Sequence, residues 1–362
     1  MKEVFHCITT IRLGGAENQL LTLVREQRNL GYKISVIFLK NEPQLKKYFE
    51  EYGTVVIDLL VDKNFLHQII ILRKLLKNKK VILHAHLPRA ELICALSKRG
   101  NPLVISKHNC EKFFPKSTNF VSRALAKFVF MRASLCISIS YAVQNYLIKI
   151  HEIVNNSKLR VIHYGYPELK LSNTGEKIRL KEKLGLNDQF VIGSIARLVP
   201  QKNHPTLLKA FKSIEFENKN SKLLLVGDGP LKHELVDLAK KLNIDHQIIW
   251  VNQSYEIMTL FSLMHVFVLA SNYEGFGLVL LESMQNNVPI IASNNSSIPE
   301  ILGKNYPGLF PTGDSSALAK LLQLSLNDNF LKQLTSNYEA RLQIFHPRKM
   351  ALEIERGYTS II

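Results

Sequence analysis

Short apolar runs alternate with longer amphipathic stretches along the whole chain, and this alternation restricts it to a parallel α/β architecture. Val4–Thr9, Ile34–Leu39, Val55–Asp58, Ile82–His86, Leu103–Ser106, Leu135–Ser140 and Val161–Gly165 read as strands of a first half. Phe190–Ile195, Lys222–Gly227, Ile248–Trp250, His265–Ala270 and Pro289–Ser293 do the same in a second half. Stretches such as Ala16–Leu30, Pro230–Leu242 and Ser315–Leu326 supply helices between them. At 362 residues the chain exceeds one ordinary core, so two domains are expected. A polar, lysine-rich segment containing Ser172-Asn-Thr-Gly separates them and reads as a linker. The expected organisation is a first domain over 1–167, a linker over 168–186, a second domain over 187–345 and a terminal helix over 346–362 returning to the first. Both domains are expected to be doubly wound parallel sheets facing a cleft, with ligands outside the carboxyl ends of their strands.

Composition narrows the class. Hydrophobic residues make up 46% and charged residues 21% of the chain, as in a soluble globular enzyme. No apolar run approaches the 18 or so residues a spanning helix needs. The amino terminus lacks the apolar region of a signal peptide. Cys7, Cys94, Cys110 and Cys136 are scattered, which suits buried reduced thiols in a cytoplasmic protein. The charge is uneven: residues 1–165 hold 26 Lys and Arg against 11 Asp and Glu, whereas the remainder is nearly balanced at 21 against 19. The first half is therefore expected to face something acidic: nucleic acid, an anionic membrane or an acidic substrate.

Glu274-Gly-Phe-Gly-Leu-Val-Leu-Leu-Glu282 follows the apolar run Val266–Ala270. It reads as a strand, a glycine turn and the start of a helix, where unsatisfied N–H groups favour an anion by about 0.3–1 kcal/mol per charge. Gly275 and Gly277 allow close backbone approach to a ligand. A nucleotide diphosphate sugar wants such a cradle for phosphate and carboxylates, here Glu274 and Glu282, for its hydroxyls. Gly193-Ser-Ile-Ala-Arg-Leu-Val-Pro-Gln-Lys-Asn-His204 also follows a strand. There Arg197 can bind a diphosphate as a fork and Lys202 as a point charge.

Leu225-Val-Gly-Asp-Gly-Pro-Leu231 reads as no more than a tight turn. Gly14-Gly15-Ala-Glu follows the first strand and opens a helix, but lacks the G-x-G-x-x-G spacing of a dinucleotide site. His84, His86 and His108 sit at or after strands of the basic half, without an acidic or thiol partner that would suggest a metal. No D-x-D pair occurs to hold a divalent cation, so a metal-independent reaction is expected, with no cofactor beyond the substrate.

Together Glu274–Glu282, Ser194-Ile-Ala-Arg-Leu-Val-Pro-Gln-Lys-Asn, Val226-Gly-Asp-Gly-Pro and Gly14-Gly-Ala-Glu resemble glycosyltransferase family four, of the GT-B fold. The resemblance spans nearly the whole chain. It implies two Rossmann-like domains and retaining transfer from a nucleotide sugar, UDP-linked, in the manner of bacterial polysaccharide and lipopolysaccharide enzymes. By the same resemblance, Glu274 holds the sugar's hydroxyls and Glu282 those of the ribose. Arg197 and Lys202 bind the diphosphate, with backbone around Gly275, Phe276, Gly277 and Leu278 completing the cradle. His108 is similar to the family histidine near sugar and acceptor, and Gly14 and Gly15 to the loop facing the donor phosphates. The chain departs from the pattern at His163-Tyr-Gly165 and at Trp250-Val-Asn-Gln253, leaving base and sugar open.

Other readings compete. A hydrolase using Glu274 and Glu282 would need its carboxyls about 5–5.5 Å apart, whereas eight helical residues span about 12 Å. A GT-B epimerase or phosphorylase shares the donor site. A non-catalytic basic module gripping nucleic acid lacks the interleaved aromatics that such binding uses. The remaining expectation concerns location: Lys116–Arg132 reads as a basic amphipathic helix. Phe120, Leu125, Phe128 and Met131 face a bilayer in that reading, with Arg123, Lys127 and Arg132 at anionic head groups. A peripheral enzyme on the cytoplasmic membrane face, acting on a glycan or lipid-linked acceptor, follows.

Overall fold

The structure is a computed structural model that describes residues 2–154, 157–169, 172–186, 188–215, 220–252 and 256–362. Asn187, with which the expected second domain begins, Gln253 and residues 170–171 of the expected linker lie outside the described residues. The chain forms two compact units, Met1–Pro167 with Phe345–Ile362, and Glu168–Ile344.

The first unit holds seven strands: β1 Glu3–Ile8, β2 Lys33–Phe38, β3 Val55–Ile57, β4 Ile82–His86, β5 Leu103–Lys107, β6 Leu135–Ser138 and β7 Leu159–Val161. They form one parallel sheet in the order β3-β2-β1-β4-β5-β6-β7. β4, β5 and β6 are buried throughout, because helices cover both faces of a parallel sheet. The second unit holds β8 Phe190–Ile195, β9 Ser221–Val226, β10 Ile248–Val251, β11 Val266–Leu269, β12 Ile290–Ser293 and β13 Leu309–Phe310. Its parallel order is β10-β9-β8-β11-β12-β13. Each sheet reverses its winding once, between β1 and β4 and between β8 and β11. Ligands of such sheets gather beside that reversal, at the strands' carboxyl ends.

Three elements differ from expectation. Val161–Gly165 is not a strand: β7 runs over Leu159–Val161 and the chain then leaves the sheet. Tyr164 turns towards His108, and Gly165 lies so close to the terminal helix that a Cβ would sit 2.4 Å from Pro347 Cα. The expected linker contains a helix, Thr174–Lys183, which belongs with the second unit. Asn173 and Glu176 close a capping box at its start and Leu180 is buried, which is enough to order a polar segment. The two-residue β13 is too short to show periodicity.

The terminal helix, Pro347–Thr359, begins at His346, whose side chain accepts from Arg348 N, with proline in the first turn. It is part of the first unit. Tyr32 donates to Glu355, and Tyr358 is fully buried beneath the helix Gly15–Asn29 and β4.

Candidate active site

In the second unit, the loops after β8, β11 and β12 are tied together at the sheet's reversal. Asn272 N donates to Gln201 O at 2.8 Å and its side chain to Pro200 O at 3.0 Å, while Gln201 Nε2 donates to Tyr273 O at 3.0 Å. Lys202 Nζ donates to Glu274 Oε1 at 2.5 Å, and Ser271 Oγ donates to the same oxygen at 2.6 Å. Glu274 is 5% exposed, so this ion pair is largely withdrawn from water. Ser296 Oγ accepts from Glu274 N, and Ser297 Oγ donates to Glu274 O and Phe276 O. The glutamate is thus fixed at both backbone and carboxylate.

Gly277 stands at φ +94°, in the left-handed region, directly before the helix Leu278–Gln285. That conformation suits glycine and aims the helix start out of the loop without a side-chain cap. The opening N–H groups of a helix have no intrahelical acceptors and carry its positive end. Glu282 is half-buried in the helix's second turn.

Arg197 is exposed and its guanidinium has no protein partner among the described residues. Its loop is clasped to the one after β9: Leu198 N donates to Asp228 O and Leu231 N to Leu198 O. A Cβ on Gly227 would lie 2.1 Å from Ala196 O, a backbone atom that cannot yield. The glycine pair that reads as a plain tight turn therefore holds the arginine loop, and the chain's pattern alone does not reveal it.

In the first unit, Gly14 is the extended residue before the helix Gly15–Asn29. The positive end of that helix is answered by Glu17, which is buried in its first turn and accepts from Thr10 Oγ1 at 2.7 Å. His108 follows β5 and has both ring nitrogens engaged, Nδ1 with Tyr164 OH in a short bond and Nε2 with His86 Nδ1 at 3.2 Å. Burial, then the Lys107 charge, pushes its pKa down to about 3, so the ring is neutral.

His108 is one member of a buried cluster. His6 of β1 pairs in register with His84 of β4, and alternation along the strand sets His86 on the same face as His84. His6 Nδ1 meets His86 Nε2 at 3.0 Å, and His6 Nε2 meets Gln27 Oε1 at 2.7 Å. Gln27 Nε2 donates to Tyr358 OH at 3.1 Å, which meets His84 Nδ1 at 2.6 Å; His84 Nε2 meets Ser106 Oγ at 2.8 Å. Burial lowers the pKa of His6 to about 4 and those of His84 and His86 well below 6.5. Ligand atoms of His6, His84 and His86 lie within 4.8 Å of one another, but every ring nitrogen already has a protein partner. A metal would have to break those bonds.

The structure thus brings Lys202, Glu274, Gly275, Phe276, Gly277 and Leu278 to the reversal of one sheet. Gly14, Gly15 and His108 lie at strand ends of the other. The chain belongs to the glycosyltransferases of family four: the family-four model matches residues 13–167 and the glycosyl transferases group 1 model residues 176–342. Among its relatives, the chain is 27% identical to a Campylobacter jejuni transferase over 95% of each chain. That relative is the GalNAc-alpha-(1->4)-GalNAc-alpha-(1->3)-diNAcBac-PP-undecaprenol alpha-1,4-N-acetyl-D-galactosaminyltransferase. The capsular polysaccharide biosynthesis glycosyltransferase CapM of Staphylococcus aureus is 24% identical over 100% of this chain and 98% of its own. Anabaena HepE, solved with UDP-glucose, superposes at a TM-score of 0.85 with 20% identity over 99% of both chains. The fold is GT-B.

Proposed function

We propose that this glycosyltransferase moves a sugar, with retention at the anomeric carbon, from a UDP-linked donor to a glycan or lipid-linked glycan in cell-surface polysaccharide synthesis. The observation that carries this reading is the buried Lys202–Glu274 pair beside the uncapped helix start at Gly277. Lys202 and the helix start both lie at this reversal, and Glu274 Oε1 is held there by Lys202 and Ser271. Lys202, Arg197 and the Gly275–Leu278 backbone stabilise the departing diphosphate as its charge grows. Glu282 takes the ribose hydroxyls. A donor phosphate oxygen serves as base for the incoming hydroxyl. With cations and a helix terminus in place, no metal is required to neutralise the leaving group. The relatives support the acceptor class, since one is named for an undecaprenol-linked glycan and another for capsular polysaccharide. UDP-glucose in the HepE structure supports the nucleotide.

The test offers uridine, guanosine and adenosine diphosphate sugars with a lipid-linked acceptor, with and without chelator. Transfer from a uridine donor, an axial product linkage and indifference to chelator are expected. Consumption of donor without acceptor would point instead to an epimerase, and no transfer from any donor would refute the reading.

The helix Asn119–Arg132 supports work at an anionic membrane surface. Phe120 and Met131 are 81% and 69% exposed, on one stripe with Lys127, whereas Leu125 and Phe128 are half-buried against the unit. The bilayer-facing side is therefore narrower than the sequence suggests, with Arg123 and Lys127 contributing charge. No helix among the described residues is long and apolar enough to cross a membrane. The protein should sediment with anionic but not neutral vesicles at low salt; equal recovery in both supernatants would refute attachment.

A further inference from the structure

We propose that Gln27 couples His6, His84, His86 and His108 into one tautomeric unit and is thereby a positioning residue for His108. A neutral imidazole has one N–H donor and one acceptor nitrogen. Every ring nitrogen in the cluster has one partner, so fixing one donor fixes the rest. The Gln27 carbonyl faces His6 Nε2, which must donate. His6 Nδ1 then accepts, so His86 Nε2 donates. His86 Nδ1 accepts in turn, so His108 Nε2 donates, and His108 Nδ1 takes its bond from Tyr164 OH.

The other end of the same amide sets a second arm. Gln27 Nε2 donates to Tyr358, so Tyr358 donates to His84 Nδ1, and His84 Nε2 donates to Ser106. All four rings then carry their proton on Nε2. Turning the amide over would reverse every donor along both arms and move all four protons to Nδ1. Along the His6–His86–His108 arm no other arrangement leaves each bond with one donor, and at His84 this is the arrangement that also uses the Tyr358 proton. The low pKa values of these rings keep them neutral over the working pH range, so the pattern persists there. His108 consequently shows the reaction side of its unit a ring of fixed tautomer, set two rings away. The tautomer assignment stands whether or not the transferase reading does; only its consequence for transfer rests on that reading.

The experiment is imidazole proton–nitrogen correlation NMR on the full chain labelled with 15N-histidine, the rings assigned through single histidine-to-asparagine variants. In the unsubstituted protein, His6, His84, His86 and His108 should all show the Nε2–H pattern. One ring of the opposite tautomer among the four overturns the proposal. Gln27→Leu removes the acceptor of His6 Nε2–H, so the Nε2–H to Nδ1–H ratio at His108 should fall roughly fivefold or more, as expected for an unpaired buried donor. An unaltered His108 in that variant also overturns the coupling. If Gln27→Leu does not fold, the spectrum of the unsubstituted protein decides alone.

Discussion

Lowering the pH from 7.5 to 5.5 should weaken the first unit far more than the second. Burial lowers the pKa values of His6 and His108 to about 4 and about 3, and those of His84 and His86 well below 6.5. The unfolded chain takes up these protons near pH 6.5, while the folded state refuses them. Stability therefore rises with pH across this window and is lost as pH falls below 6.5, towards the folded values. At pH 5.5 the unfolded state gains about 1.4 kcal/mol per ring, hence about 6 kcal/mol for the four together. That rivals the 5–15 kcal/mol by which domains are stable. The second unit holds one comparable ring, His204, lowered to about 4, and should lose about 1.4 kcal/mol by the same relation. His265 is lowered as well, but its exposure leaves it a smaller effect. Urea unfolding can separate the units, because the chain's single tryptophan, Trp250, lies in the second and reports only there. Far-UV circular dichroism follows both. His84→Asn should reduce the pH-dependent loss of the first unit by about 1.4 kcal/mol. A first unit that weakens no more than the second, or a His84→Asn variant that loses as much as the unsubstituted protein, would refute the buried-neutral account.

Lys202→Ala should abolish transfer and also cost about 3 kcal/mol of stability, because it strands the Glu274 carboxylate in a buried site. Sequence reasoning alone reads that lysine as a point charge for the diphosphate, whose loss leaves stability unchanged. Adding Glu274→Gln should recover most of the stability and none of the activity, as read by urea unfolding and donor turnover. Gly227→Ala should destabilise the second unit by about 2 kcal/mol and weaken donor binding through the arginine loop, measured by calorimetric titration with UDP. Tyr164→Phe should leave the fold intact at a cost of about 1 kcal/mol, detectable as a lower urea midpoint.

The sheets were legible because parallel strands buried on both faces must be continuous apolar runs, as Leu223–Val226 and Val266–Ala270 are. The gathering of Glu274 and Lys202 at one winding reversal was legible for a related reason: both lie in loops that follow strands, where chemistry gathers in such sheets. What could not be read is pairing across the fold. Nothing in the linear pattern says that Lys202 neutralises Glu274, or that Gly227 supports the loop of Arg197, thirty residues earlier in the chain. The histidine cluster lay halfway between. His84 and His86 share a face by strand alternation alone. Placing His6 beside them needs the β1–β4 pairing, and Gln27 and Tyr358 join only once the terminal helix is known to return to the first unit.

The two winding reversals, alike in topology, carry opposite chemistry. At each, a glycine precedes a helix whose positive end points out of the sheet. After β11, Gly277 leaves that end without a side-chain cap, and the nearby glutamate is already satisfied by Lys202 and Ser271. The Arg197 guanidinium, which has no partner among the described residues, adds positive charge to the loop after β8. After β1, Glu17 sits in the first turn of the helix that begins at Gly15 and spends its carboxylate on the same positive end. A phosphate there would face an acid already in place. The cation of that loop, Arg12, already faces Glu17 at 3.8 Å and Glu42 at 3.7 Å. The same winding therefore leaves a helix start without an acid in its first turn in one unit and a helix start answered by Glu17 in the other, and the difference rests on where each carboxylate finds its cation.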